Sequence, residues 1–348
     1  MYPSTRDFYF LATGIGSVPY LDIENTCRNI LEHLPQIPFW PQFVMRSPLE
    51  DMTVQFIEGL PLVRFHEETK ALAVSTGTDR EKELITFYDH FLAQDTEYFA
   101  ISKDFAPGLH KLLELLGKAT QEGKYVKGQT IGPITFCASL KGPDQKAVLH
   151  DEELLEAMVN GLSIKALWQA KQLTQTGRVP ILFLDEPYLS GFGSAFSPID
   201  REQVIDILKR FITYLKERIE LLIGIHCCGN TDWAMLLETG PDIINFDAWE
   251  YMEHFLLYEK AITHFLYHGG HIAWGIVPTS RFTGSETSED LVAKLQQGIR
   301  QVMAWGIDQE ILFRQSLLTP ACGMGTMTPE AATKAMELLG RLSEILRN

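Results

Sequence analysis

The sequence is short of cysteine, with five in 348 residues, and short of positive charge, with 30 Lys and Arg against 45 Asp and Glu. A sparse, odd-numbered set of thiols in so long a chain argues against a disulfide framework and points to a reducing compartment. The net charge of −15 disfavours non-specific binding to nucleic acid or to an anionic membrane. No apolar stretch reaches the roughly 18 residues of a membrane span. The opening Met1-Tyr-Pro-Ser-Thr-Arg-Asp7 has no basic start leading into an apolar core, so no secretory signal is expected. A cytoplasmic protein without nucleic-acid or membrane partners is the expectation. Low-complexity tracts, short repeats and Gly/Ser linkers are also missing. Core material is plentiful, at 45% hydrophobic and 11% aromatic residues, which excludes disorder.

Short apolar, β-branched or aromatic runs alternate with long amphipathic stretches. Strands are expected at 8–16, 37–44, 125–135, 180–185, 221–227, 242–247, 271–277 and 311–318. Helices are expected at 151–176, 198–220, 231–238, 249–268, 285–305 and 328–347. Their caps are Ser197 before Pro198, Ser285 near Ser288 and Glu289, and Thr328 before Pro329-Glu330. Near-continuous apolar strands between helices imply a parallel sheet covered by helices. Eight such units predict an α/β fold, a single (β/α)8 TIM barrel over residues 1–348. No Gly-x-Gly-x-x-Gly turn follows the first strand to favour a doubly wound sheet. The stretch 46–124 is long for one connection, so an elaboration is expected between strands 2 and 3, with a hairpin around 60–65 and extra helices.

Active sites of such barrels gather at the C-terminal ends of the strands, where the chemically distinctive residues of this sequence fall. In Leu221-Leu-Ile-Gly-Ile-His-Cys-Cys-Gly-Asn230, alternation puts His226 and Cys228 on one face and Cys227 on the other. A third soft donor, Cys322, follows another apolar run within Leu318-Thr-Pro-Ala-Cys-Gly-Met-Gly325. One imidazole and two thiolates match the tetrahedral N/S coordination of Zn2+ and leave a position open. The plain alternative is three buried side chains and no metal. Asp247 or Glu250, at the end of the next strand, could fill the open position until a substrate displaces it. Asp185 or Glu186 in Leu184-Asp-Glu-Pro187 could grip a cationic group of a substrate or support the metal, unless the pair is an ordinary polar turn. Gly14-Ile-Gly-Ser17 is either a tight turn or a small nest of N–H groups for a carboxylate.

In chain order these pieces resemble the C-terminal, catalytic half of cobalamin-independent methionine synthase. That family lies in the superfamily that also holds uroporphyrinogen decarboxylase and methylcobamide:coenzyme M methyltransferases. The matching segments are Ile15-Gly-Ser-Val-Pro19, Asp51-Met52, Val126-Lys-Gly-Gln-Thr-Ile-Gly-Pro-Ile-Thr135, Leu184-Asp-Glu-Pro187, His226-Cys-Cys228, Asp242-Ile-Ile-Asn-Phe-Asp247 and Thr319-Pro-Ala-Cys-Gly323. The resemblance implies a (β/α)8 barrel and a zinc ion held at the positions of His226, Cys228 and Cys322. Asp247 is the implied fourth ligand, where the synthases carry glutamate. It further implies that Ser17 and Asp185 contact the carboxylate and amine of homocysteine; Ile15, Gln55 and Glu186 are expected beside them in the substrate site.

Three departures separate this sequence from the synthases. Thr53-Val-Gln55 stands where they carry a glutamate after Asp-Met. Trp274-Gly-Ile-Val-Pro-Thr-Ser280 lacks their strand-seven histidine, and Phe136-Cys-Ala-Ser-Leu140 lacks the aromatic that follows their Gly-Pro motif. The N-terminal half of the synthases has no counterpart either. His226-Cys-Cys-Gly-Asn230 is similar to the His-x-Cys-Gly-Asn of corrinoid-linked methyltransferases. The expected function is therefore zinc-dependent methyl transfer to a small-molecule thiol, homocysteine first, with Asp185 and Asp247 in catalytic roles. A methylcorrinoid (methylcobamide), presented by a corrinoid protein, is expected as donor in preference to methyltetrahydrofolate. The competing expectations are a coenzyme M-type methyltransferase, a uroporphyrinogen decarboxylase-like enzyme and a non-enzymatic zinc- or corrinoid-binding protein.

Overall fold

The computed structural model describes residues 6–75, 79–118, 123–142, 144–193 and 199–348. Its strands are β1 (Leu11–Ala12), β2 (Val63–His66), β3 (Ala71–Val74), β4 (Tyr125–Ile131), β5 (Val179–Asp185), β6 (Leu222–Cys227), β7 (Ile243–Phe246), β8 (His271–Val277) and β9 (Ser316–Pro320). The α-helices are α1 (Ile23–His33), α2 (Arg80–Leu92), α3 (Pro107–Lys118), α4 (Pro133–Ser139), α5 (Glu152–Thr174), α6 (Arg201–Lys216), α7 (Trp233–Glu238), α8 (Met252–Phe255), α9 (Glu259–Tyr267), α10 (Ser288–Ala304), α11 (Gln309–Arg314) and α12 (Pro329–Arg347). Seven strands form one curled parallel sheet in the order β1-β9-β8-β7-β6-β5-β4, and β2 and β3 pair as a separate antiparallel hairpin. This hairpin, with α2 and α3, makes up the elaboration. No helix among the described residues is long and apolar enough to cross a membrane.

The sheet has seven regular strands where eight were expected. Residues 37–44 form only two isolated parallel bridges, Phe39 with Lys127 and Ser17 with Gln42. Pro38 and Pro41 interrupt the run, and proline has no N–H to give a ladder. The remaining donors alternate sides: Trp40 N–H reaches Lys127 O and Gln42 N–H reaches Gly16 O. The segment thus touches both edges of the sheet without becoming a strand.

Three other expected strands depart most from their bounds. Only Leu11–Ala12 of 8–16 is regular, because Tyr9 and Phe10 have φ of 44° and 60°, a left-handed backbone that a strand cannot hold. The run 125–135 stops at Ile131, where Gly132-Pro133 opens α4. The apolar start of 311–318 is helical, capped by the Asp308 side chain, and β9 begins only at Ser316. Caps follow the same chemistry elsewhere: Asp151, Asp232 and Thr328 accept from N–H groups of their own first turns, and Thr287, not Ser285, caps α10. The expected cap Ser197 lies outside the described residues, and α6 starts from a capping box built on Asp200 and Gln203.

Alternation along the strands splits the interior in two. Ile181 and Phe183, Leu222, Ile243, Ala273 and Leu317 face inward with Phe8, Leu11, Ile15, Ile37 and Tyr125. The opposite parity, including Leu182, Leu184, Ile223, Ile225, Cys227, Ile244 and Phe246, packs outward in the larger core shared with the helices. On the ladder, Asp185 pairs with His226 and His226 with Asn245. One row of the sheet therefore carries three inward polar side chains.

Candidate functional site

His226 occupies the last inward position of β6. Cys228 is the next residue of that parity, while Cys227 turns outward and is fully buried. Cys322 arrives from the loop after β9. The ligand atoms of His226, Cys228 and Cys322 all lie within 4.8 Å of one another, the one such group among the described residues. The two thiols are coupled. Hydrogen bonds from Cys322 and His226 hold Cys228 well below the ordinary cysteine range, and that same bond pushes Cys322 up. Burial pulls the His226 imidazole down, but Cys228 and Asp185 outweigh it and leave the ring above its ordinary value.

The imidazole is held by a residue that sequence reasoning missed, Asn245. Its Nδ2 donates to Ala273 O and to Thr319 Oγ1, both at 2.8 Å. With both amide hydrogens committed, Asn245 Oδ1 accepts from His226 Nδ1. Nδ1 thus carries a proton, and Nε2 is the nitrogen that a metal ion could take in place of one. An oriented imidazole with two thiols is a donor set that could hold a metal ion, and the amide behind it supplies the outer-shell orientation metal sites use.

Beside these groups is a cavity of about 360 Å³, within the range of small-molecule sites. Ile15, Ser17, Gln42, Asp51, Asp185 and Cys322 are in its wall, together with His226 and Cys228. Asp185 is buried and its Oδ1 has no hydrogen-bond partner. Burial pushes its carboxyl up to about 6 against the pull of His226 and Lys127. A buried carboxylate oxygen without a donor is costly unless something bound supplies one. Ser17 meets the loop that carries Cys322: Gly325 N–H donates to Ser17 Oγ at 3.3 Å and Met324 N–H to Ser17 O at 2.9 Å. A Cβ at Gly323 would lie 2.1 Å from Ser17 Oγ, so the glycine is what lets the loop close on the first strand.

Three expected site residues stand elsewhere. Gln55 lies one layer back, accepting from Gln42 Nε2 and donating to Phe105 O, both at 2.6 Å; Gln42 is the side chain that reaches the cavity. Glu186 points away from it. Its carboxylate accepts from Ile134 N–H, Thr135 N–H and Thr135 Oγ1 at 3.0, 2.8 and 2.6 Å and so closes the open end of α4. A Cβ at Gly132 would meet this carboxylate at 2.1 Å. Asp247 is buried with the inward parity of Asn245, but its ligand atoms fall outside the 4.8 Å group, and its Oδ1 accepts from Glu250 N–H at 2.8 Å. Burial pushes Asp247 up to about 6. Glu250 pairs with Arg281 at 3.2 Å. A second missed residue, Lys127, is fully buried below the cavity.

No protein-family model matches the chain, and no curated protein matches it in sequence. In structure it is similar to a Listeria monocytogenes protein provisionally named a vitamin-B12 independent methionine synthase, with a TM-score of 0.57 and 14% identity over 97% of each chain. It is also similar to a methyltransferase from Methanosarcina mazei, with a TM-score of 0.55 and 13% identity over 97% of this chain and 94% of that one. At such identities the likeness is one of fold.

Proposed function

We propose that this protein is a zinc-dependent methyltransferase that moves a methyl group to a thiol, with homocysteine as the acceptor and a methylated corrinoid, carried by a partner protein, as the donor. The observation that carries this reading is the convergence of His226, Cys228 and Cys322 beside the unpartnered oxygen of Asp185. A free thiol has a pKa of about 8.5, so only a few per cent is thiolate at neutral pH. Zinc, when bound, would keep the acceptor sulfur deprotonated and nucleophilic.

The chain's own residues do the rest. Asn245 holds the proton of His226 on Nδ1, so that Nε2 would be the nitrogen offered to the metal. Asp185 would accept from the ammonium of the acceptor, and the Ser17 hydroxyl would donate to its carboxylate. Asp247 is the proposed exchangeable fourth donor, on the inward parity of β7. The carboxamide of Gln42, bonded to Gln55, would supply a neutral contact. Among the described residues the cavity wall holds two carboxylates, Asp51 and Asp185, and no Lys or Arg. That balance favours an amine-bearing thiol over a sulfonate thiol, and it argues against a decarboxylase of a polyanionic substrate.

Metal analysis and methyl transfer test the proposal together. Wild-type protein is expected to retain about one zinc per chain and to discharge methylcobalamin, followed by loss of the methyl–cobalt absorbance, when homocysteine is added. Cys322→Ser is expected to lose both properties while keeping the thermal midpoint of zinc-free wild type, because the ligand sits in a loop and not in the packed sheet. Full zinc content in that variant would refute the ligand assignment, and turnover unaffected by zinc removal would refute the chemistry.

A further inference from the structure

Gln42 is in the cavity wall, and a chain of amides behind it decides which end of its carboxamide is presented. The chain starts at Phe105 O, which can only accept. Gln55, fully buried, therefore turns its Nε2 to that carbonyl, at 2.6 Å. Its Oε1 is left facing Gln42 and accepts from Gln42 Nε2, also at 2.6 Å. Two carboxamide oxygens cannot share such a contact, so the polarity of the Gln42 amide is fixed by a main-chain carbonyl two links away. The Gln42 backbone is pinned as well: its N–H donates to Gly16 O at 3.0 Å, and its carbonyl accepts from Val18 N–H at 2.9 Å.

The outward end is thus Oε1. It lies against Gly16, where a Cβ would stand 2.4 Å from it. Among the described residues nothing donates to this oxygen, and it is not sealed from solvent. Asp185 Oδ1, in the same wall, also lacks a donor. Two oxygens without donors suit a ligand that brings several N–H groups.

We propose that Gln42 is a specificity-determining residue for the acceptor: its carboxamide oxygen, turned to the cavity by Gln55 and the Phe105 carbonyl, accepts a hydrogen bond from the ammonium of an amino-acid thiol. Gln55 is a positioning residue that acts through it. This inference rests on the thiol-acceptor reading above. An ammonium carries three hydrogens and no lone pair, so it can satisfy several acceptors at once, whereas a sulfonate can satisfy none. A neutral oxygen adds to that discrimination without burying another charge.

Homocysteine and 4-mercaptobutyrate, the same thiol chain without the ammonium, are titrated calorimetrically into zinc-loaded wild type, Gln42→Met and Gln55→Met. Wild type is expected to bind homocysteine the more tightly. Gln42→Met keeps the length of the side chain and loses its oxygen. It is expected to weaken homocysteine by about 10-fold or more and 4-mercaptobutyrate by less than about threefold. Gln55→Met leaves Gln42 in place but frees its amide to turn, and is expected to weaken homocysteine alone, by about threefold or more. Zinc content is expected to stay the same in all three proteins. Equal weakening of the two thiols in Gln42→Met, or none, would overturn the proposal, and so would a wild type that binds both alike. Wild type that binds neither thiol would instead sink the acceptor reading, and this inference with it. If Gln42→Met does not fold, Gln55→Met decides by the same comparison, and equal weakening or none refutes it there.

Discussion

At the N-terminal end of the curled sheet the inward side chains are Phe8, Tyr125, Ile181, Leu222 and Ile243, whereas at its C-terminal end they are Asp185, His226 and Asp247. The same strands build both ends, and the change takes place within two rungs. At the base the interior is filled by large apolar groups in mutual contact, which stabilise the fold in proportion to the area removed from water. At the mouth the inward groups are polar, and several are unsatisfied or perturbed: Asp185 lacks a partner on one oxygen, and both Asp185 and Asp247 are pushed up by burial. Stability is concentrated at one end and chemical potential at the other, as expected where a site is built on a rigid support.

Phe183 marks the boundary, and replacing it should break the comparison most severely. Its ring fills the space left by Gly224, where a Cβ would come within 2.4 Å of it, and carries the Lys127 ammonium on its face. Phe183→Ala is expected to cost about 3–5 kcal/mol in urea unfolding. Zinc stoichiometry per folded molecule is expected to hold; a drop in metal content alongside the stability loss would show that the two ends are not separable.

Glu186 offers a milder test, because it is a mouth residue by sequence and a support residue by structure. Burial pushes its carboxyl from the ordinary 4.5 up to about 7 in the folded chain. Between those values the folded chain holds a proton that the unfolded chain has released. Its contribution is therefore present below about pH 4.5 and lost as pH rises through about 7. Glu186→Gln is expected to remove a decline of at most about 3 kcal/mol from the stability–pH curve. Urea titrations across that range measure it, and an unchanged slope would assign the decline to another group.

Asn245 should give the smallest effect and sharpen the comparison most finely. Asn245→Ala frees the His226 ring without touching a donor atom. A fall of about 10–100-fold in zinc affinity is expected, read by competition with a chelator. Loss of the single His226 tautomer in nitrogen NMR should accompany it. Unchanged affinity would mean that packing alone orients the ring.

Much of this was legible in the sequence where one signal sufficed. Strand β8 matches the expected 271–277 residue for residue, and parity alone sent Cys227 outward and brought His226 and Cys228 inward. Errors arose where two signals competed. Ile311-Leu-Phe reads as a strand because a short apolar run fits either period, but the Asp308 cap decides for a helix. Residues 37–44 are apolar enough for a strand and too rich in proline to be one. In the site, Asn245 was missed as a lone polar residue in an apolar strand, and Lys127 because it stands in a strand that also carries Gln129 and Thr130. Counting back by twos from Asp247, or from Gln129, would have turned both inward. Gln55 and Glu186 were placed in the substrate site because neighbourhood in sequence does not reveal which layer a side chain joins.

The hydrogen bond from Gly325 to Ser17 spans 308 positions, and it fastens the loop that bears Cys322. During synthesis, a nascent chain exposes His226 and Cys228 well before their third companion leaves the ribosome, and two donors alone grip a divalent cation weakly. If the three donors hold a metal, its capture would thus be deferred until the loop bearing Cys322 has docked against Ser17.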